Sequence, residues 1–268
     1  MTRGSFEQFV LSDAMTDGEV WELFHENSKT TRMRPQMSDE QVYQTMQKRH
    51  VSLPLAHAPV IELPKPAGEL PVGLAAALAA RQSAREWPEI QQPLALEDLA
   101  TLLHYTCGVT RPRDATGFAV DFRGAPSAGG LYPLELFFHA REVDGLLPGL
   151  YHYDAPGHRL HLVQEGDLGP RLASVFVQPE IPYQTTAQFF LVALFRRSTF
   201  KYRDRGYRFV LLEAGHIAQN LNLVATAMRL AVLNVGGYSD RALDEILEFD
   251  GINQSVVYVV AVGGTELR

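Results

Sequence analysis

The chain has 268 residues, 46% hydrophobic and 21% charged, with a net charge of −7, a balance that supports a globular fold with a sizeable core. Lysine and arginine run together only as doublets, Lys48-Arg49 and Arg196-Arg197, and without a concentrated basic surface nucleic acid is excluded as the main partner. Cys107 is the sole cysteine, which rules out an internal disulfide and a thiolate metal cluster.

The first residues, Met1 to Glu7, lack the apolar stretch of a signal peptide, and no apolar run approaches the roughly 20 residues that cross a bilayer. A cytoplasmic protein without a membrane partner is expected. Capping-box spacing at Thr16–Glu19 and Ser38–Gln41 predicts two short N-terminal helices. Pro54, Pro59, Pro64, Pro66 and Pro71 then exclude a helix or a central strand, so this stretch reads as an extended connector. The division is 1–72, a helical arm and proline-rich connector, and 73–268, the main domain.

In the main domain, Ala95, Leu99, Leu102, Leu103 and Thr106 keep helical spacing up to Gly108. Residues 134–141 alternate, with Leu136, Phe138 and Ala140 on one face and Glu135, His139 and Arg141 on the other; Phe137 breaks the pattern. Tyr151-His152-Tyr153 and Leu160-His161-Leu162 flank Ala155-Pro156-Gly157, a predicted hairpin. The apolar runs Phe189–Phe195 and Val256–Val262 suit strands buried on two faces. Between them Val210, Ala214, Ile217, Leu221, Val224 and Met228 make one helical stripe. Leu211, Leu212 and Leu223 flank it, so the helix is expected to be mostly buried and Glu213, His216, Gln219 and Asn220 to need partners. Helices, then strands with a long helix among them, argue α+β.

Several segments have residues suited to chemistry. Arg81, Ser83 and Arg85 offer two guanidiniums and a hydroxyl, either a phosphate clamp or a helix end whose cations favour the C-terminal dipole. Gly124 to Pro133 is small and flexible enough to approach a flat ligand with its backbone, or to be an ordinary loop; it is neither a serine nucleophile elbow nor a P-loop. Phe200 to Arg208 packs four cations and three rings into nine residues. Lys201 beside Tyr202 suits a general base, since burial lowers a lysine pKa and a neighbouring cation lowers that of a tyrosine; the alternative is a solvated junction with Arg203 and Asp204 in water. Gly236-Gly237 permits positive φ and close approach, and Ser239 or Asp240 can cap the next helix, or the segment is a turn. His152, His158 and His161 lack carboxylate or cysteine support and read as surface histidines, so no metal is expected. Cys107 reads as a small buried residue, and Trp21 and Trp87 as packing.

Taken in order, Arg81-x-Ser83-x-Arg85, Pro126 to Pro133, Gly149 to Tyr153, Lys201-Tyr202-Arg203-x-Arg205-Gly206-Tyr207-Arg208 and Leu212 to Asn220 resemble the SagB-type dehydrogenases of the nitroreductase superfamily. His25 to Lys29 is similar to the N-terminal region of that family, and the likeness is best over 81–263. The resemblance implies an α+β nitroreductase-like sandwich, with a central, mainly antiparallel sheet flanked by helices, working as a homodimer with FMN at the interface. It gives Arg81, Ser83 and Arg85 to the phosphate and ribityl end. Pro126, Ser127, Ala128, Gly129 and Gly130 of the other subunit, with Gly236 and Gly237, fall to the isoalloxazine, and Lys201 and Tyr202 to catalysis. The implied substrate is an azoline-containing ribosomal peptide, oxidised from thiazoline or oxazoline to the azole, with a cyclodehydratase complex as a further partner. An NAD(P)H-dependent nitro or quinone reductase of the same fold, or a scaffold subunit of that complex, are the alternatives. The end, Glu266-Leu267-Arg268, is assigned no phosphate role.

Overall fold

Short apolar runs rich in β-branched residues pair best as strands, and here they form the middle of a sheet. The computed structural model describes residues 20–29, 37–48, 53, 55–87, 93–113 and 121–265. Its elements begin with α1 (Val20–Asn27), α2 (Asp39–Gln47), β1 (Val60–Glu62), α3 (Leu74–Ala80), α4 (Leu96–Cys107), β2 (Val109–Arg111) and β3 (Phe122–Arg123). After β4 (Leu134–Ala140), β5 (Gly149–Asp154) and β6 (Arg159–Glu165) come α5 (Gly169–Ala173), α6 (Ile181–Gln184), β7 (Ala187–Leu194) and α7 (Arg196–Tyr202). The long α8 (Asp204–Ala227), then β8 (Leu230–Val235), α9 (Asp240–Ile246) and β9 (Gln254–Thr265) follow. Seven strands form one sheet, β1-β6-β5-β4-β7-β9-β8, antiparallel at each pairing. β2 and β3 pair separately.

Both faces of the sheet are covered, which is why its central strands read as nearly continuous apolar runs. Leu134, Leu136 and Phe138 of β4, with Phe189 and Leu191 of β7, pack against Leu99, Leu102 and Leu103 of α4 and Val210, Ile217 and Leu221 of α8. Phe137, Phe190 and Val192 point the other way, into a second cluster with Leu172, Ile181, Leu243 and Ile246 from α5, α6 and α9. Phe137 thus does not break a pattern; it faces a second core, beside Phe249. Each fully buried leucine or phenylalanine contributes roughly 1.5–3 kcal/mol, so the two clusters hold the sheet rigid.

The predicted elements recur with local reasons. Ser38 caps α2 in a capping box with Gln41. The helix at 96–107 ends at Gly108, where a Cβ would lie 2.6 Å from the His104 carbonyl oxygen. The hairpin at 149–165 and the strands at 187–194 and 254–265 are in place. In the proline-rich stretch, β1 joins the sheet only at its edge, where a missing N–H does no harm. Thr16–Glu19, Met1 to Glu7, Pro54 and Glu266-Leu267-Arg268 lie outside the described residues. Among the described residues no helix is long and apolar enough to cross a membrane.

Several expectations are corrected. α8 is not buried all round: Leu211 is 43% and Leu212 59% exposed, and Gly215, His216 and Gln219 share that outward face. Their four-residue spacing places them opposite the stripe that meets the sheet. His152 and His161 are not on the surface; they are fully and nearly fully buried, stacked across β5 and β6. His158 is half-buried, its ring nitrogens on the Tyr153 hydroxyl and the Pro64 carbonyl. Among the described residues no cluster suits a metal ion. Trp21 is exposed, whereas Trp87 packs on the second core. Gly236 and Gly237 do not adopt positive φ; Gly237 is instead needed for close approach, a Cβ there falling 3.0 Å from Val177. Ser239 holds the N-cap position of α9 without a side-chain capping bond.

Candidate active site

The loop before β4 turns sharply because it is made of small residues. Ala128–Gly130 forms one 3-10 turn, with Gly129 and Gly130 at φ +65° and +63°, a conformation costing roughly 1–2 kcal/mol for other residues. The turn faces the end of α7. A Cβ on Gly129 would lie 2.6 Å from the Tyr202 hydroxyl oxygen and 3.1 Å from Lys201 Nζ. Within one protomer, the backbone of the glycine turn, an ammonium and a phenol therefore converge. Lys201 Nζ also sits over the Tyr202 ring, 5.2 Å from its centre, and Tyr202 meets Phe209 edge-on. Both members of the pair are half-buried, and Arg203 and Asp204 are exposed.

This constellation is held from behind. The Tyr132 N–H donates to Ser127 Oγ at 2.9 Å, and the Arg123 N–H donates to the Tyr132 hydroxyl at 3.0 Å. The Arg123 guanidinium lies 4.8 Å from the centre of the Tyr132 ring, so Tyr132 is fixed at φ +43° by contacts on both sides. Arg197, one turn before Lys201 on α7, donates to the Tyr132 carbonyl and to Glu135. Glu135 accepts from His152 Nε2 at 2.9 Å. Burial would raise the Glu135 carboxyl, but His152 and Arg197 hold it below its ordinary value. Glu213 of α8 is 3% exposed. Burial pushes its carboxyl up to about 7, against the pull of its hydrogen bond with Ser127 and of the Arg123 charge. Cys107, close by, is pushed up to about 12 by burial and carries no thiolate chemistry.

A second group forms elsewhere. α3 ends at Arg81, and the Ala84 N–H donates to the Val232 carbonyl of β8 at 2.8 Å. This fixes Arg81, Ser83 and Arg85 beside the strand that leads into Gly236-Gly237. Arg81 is half-buried, Ser83, Arg85 and Gly236 are exposed, and a Cβ on Gly236 would meet nothing within 4 Å. β8 is tied to α8 by Asn222 Nδ2, which donates to Asn234 at 2.9 Å. From Glu213, which anchors the first group, α8 rises roughly 13 Å to Asn222. The candidates thus fall into two groups along one helix.

Beside the α7–α8 joint opens a cavity of about 630 Å³, lined by Phe24, Phe195, Thr199, Tyr207, Leu211 and Val257 among others. Arg208 holds α1 there, donating to the His25 carbonyl, and Phe24 meets Tyr207 edge-on.

The Nitroreductase family matches residues 78–264. The chain belongs to the nitroreductase family. It is an oxidoreductase of that fold. The protein MJ1384 of Methanocaldococcus jannaschii, which bears a nitroreductase name, is 34% identical over 171 residues, 64% of this chain and 82% of its own. The trifolitoxin-processing protein TfxB of Rhizobium leguminosarum bv. trifolii is 26% identical over 63% of this chain and 47% of its own. The microcin B17-processing protein McbC of Escherichia coli is 31% identical over 48% of this chain and 49% of its own. The chain therefore spans about half the length of these two processing proteins. Among solved structures, a nitroreductase from Anabaena variabilis aligns with TM-score 0.64 at 22% identity, covering 88% of this chain and 50% of that one. A chain of the E. coli microcin synthetase McbBCD complex, with truncated pro-MccB17 bound, aligns with TM-score 0.57 at 21% identity over 92% of both chains. At these identities the structures show the nitroreductase-like fold, α+β with an antiparallel sheet between helices.

Sequence reasoning did not single out Glu213 as part of the site, nor Arg123, Tyr132 and the Arg197–Glu135–His152 set. For Glu213 a signal existed: an acid on the stripe side of an apolar helix has to be paired with something. For Arg197 and Glu135 none did, since their meeting depends on how α7 returns over β4.

Proposed function

We propose that the chain is an FMN-dependent dehydrogenase that oxidises thiazoline or oxazoline rings to thiazoles or oxazoles in a ribosomally made peptide. The observation that carries the reading is the convergence of Lys201 Nζ and Tyr202 Oη on Gly129. That puts an amine and a phenol beside a backbone turn able to lie against a planar ligand. The processing roles named for TfxB and McbC point the same way.

The residues present fit FMN. Among the described residues neither Arg81 nor Arg85 forms an ion pair, and an anionic phosphate would balance both charges. Ser83 would add a hydroxyl. Gly129, Gly130, Gly236 and Gly237 keep side chains away from where a flat ring would rest, with Pro126, Ser127 and Ala128 completing the turn. As the resemblance implies, each flavin would be shared, its phosphate with one copy and the turn with the other. The outward apolar face of α8, Leu211 and Leu212, suits a second copy. A cyclodehydratase complex would be the further partner, as McbC belongs to a synthetase complex that binds a precursor peptide.

Conversion of azoline to azole removes a proton from Cα and a hydride from the ring CH₂. FMN, when bound, supplies the hydride acceptor. The ring C=N and the adjoining carbonyl acidify Cα–H, and of Lys201 and Tyr202 one would take that proton while the other orients or tunes it. α7 keeps their spacing fixed, and the half-buried setting limits water. The test is incubation of the purified, flavin-loaded protein with an azoline-bearing peptide in air. A mass loss of about two per ring is expected, the proton and hydride together, and an unchanged peptide mass overturns the reading.

The 34% identity to MJ1384, with its nitroreductase name, favours a second reading, reduction of small electrophiles by NAD(P)H. Rapid bleaching of the flavin by NADPH, with no change in the peptide, would select it.

A further inference from the structure

The joint between α7 and α8 is rigid, and it shapes the cavity beside it. Arg203 turns the chain at φ +50°, and Ser198 Oγ donates to the Gly206 carbonyl at 3.2 Å. A Cβ on Gly206 would lie 3.0 Å from the backbone of Ser198 and Thr199, so the two helices meet as closely as they can. The cavity walls carry three rings: Tyr207 stacks on Phe195 at 5.3 Å between centres and meets Phe24 edge-on at 5.4 Å. Two carboxylates, Asp204 and Asp240, complete the lining. Each sits in the first turn of a helix, where a negative charge is favourable. Among the described residues neither forms an ion pair. Arg208 is bound to α1 instead, donating to the His25 carbonyl and lying 5.8 Å from the centre of the Phe24 ring.

Rings and unpaired carboxylates around one apolar cavity complement a cation on an apolar stem. A guanidinium fits best, because it stacks flat on a ring and presents a fork of donors to carboxylates, while its methylenes lie along the walls. We propose that the cavity is a second substrate contact, which takes an arginine side chain of the peptide handled at Lys201 and Tyr202. That the cation arrives on a peptide rests on the proposed function; the class of cation rests on the cavity alone. Its volume, about 630 Å³, is that of a small-ligand site and holds such a side chain with its backbone. Lys201 and Tyr202 do not line it; they stand against Gly129. A bound peptide must therefore cross α7, roughly 10 Å wide, which takes about three residues of extended chain. The arginine belongs at least that far from the ring, and its binding serves capture of the peptide rather than the bond changes.

The test is fluorescence anisotropy of dye-labelled peptides that already carry a thiazole, so that binding is read without turnover. Each has arginine, or its neutral isostere citrulline, about five residues from the ring, beyond the width of α7. The arginine peptide is expected to bind about tenfold more tightly than the citrulline peptide at low salt. Asp204→Asn combined with Asp240→Asn should bring the ratio to about one. Thr199→Arg should do the same by filling the cavity with a tethered guanidinium, with both carboxylates left in place. Circular dichroism checks that each variant is folded. Equal affinity of the wild type for the two peptides overturns the inference, and so does a preference that persists in both variants. A preference seen only at concentrations where the protein is monomeric gives the cavity to a second copy and also overturns it. An arginine preference that both variants abolish, in a protein that leaves the mass of azoline peptides unchanged, supports the site and overturns the dehydrogenase reading instead.

Discussion

At the scale of single residues, the site divides into groups that touch the reacting atoms and groups that hold them. In the proposed function Lys201 and Tyr202 belong to the first. Lys201→Ala and Tyr202→Ala should each retain the yellow cofactor, read by visible absorbance, while peptide turnover falls by about 10²–10⁴; loss of flavin in both would make the pair structural. Glu213 belongs to the second. Its folded pKa, about 7, lies above the ordinary 4.5, so the folded state holds the proton more tightly than the unfolded chain. Its ionisation therefore costs stability that begins to be lost above pH 4.5 and is fully lost above pH 7. The loss amounts to about 3 kcal/mol. Urea midpoints at pH 5 and pH 8 should differ less in Glu213→Gln than in wild type. The sequence made Lys201 and Tyr202 visible because their neighbours form a dense, recognisable run. It left Glu213 as one acid on an apolar helix, since nothing in the linear order tells that Ser127 lies across from it.

Among the elements, those governed by local rules were legible from the residues alone. The capping box of α2, the glycine stop of α4 and the hairpin at 149–165 depend on residues within a few positions of one another. What escaped was the far side of the sheet. α5, α6 and α9 are only four to seven residues long, and short helices leave little periodic signal. They cover the face where His139, His152 and Gln188 lie, which turns expected surface histidines into buried ones. His139 shows the consequence: its Nδ1 meets Gln188 at 2.7 Å, its Nε2 accepts from the Leu168 N–H at 3.1 Å, and burial lowers its pKa. The turn between β3 and β4 is the element on which the proposed chemistry depends. In Gly129→Ala a Cβ at φ +65° would press on Tyr202 Oη. The variant should remain folded by circular dichroism, with flavin affinity and turnover each down at least tenfold, because the strain of about 1–2 kcal/mol falls on the site itself.

At the scale of the molecule, the seven-stranded sheet and its two helical layers account for the family, whereas the pairing of two copies belongs to the proposed function. Replacing both Leu211 and Leu212 with glutamate should shift gel-filtration elution from dimer to monomer and lower flavin content with it. A colourless dimer would disconnect the two. In sequence a leucine flanking a helical stripe looks the same whether it faces its own core or outward, and so the exposure of Leu211 and Leu212 was not legible there. The segment bearing Arg81 and Arg85 has one more role, through the bond from Ala84 to Val232. β8 is the last strand of the sheet, and an uncovered strand border recruits foreign strands. Breaking that clasp would bare the border and make the protein prone to clump, which light scattering would read.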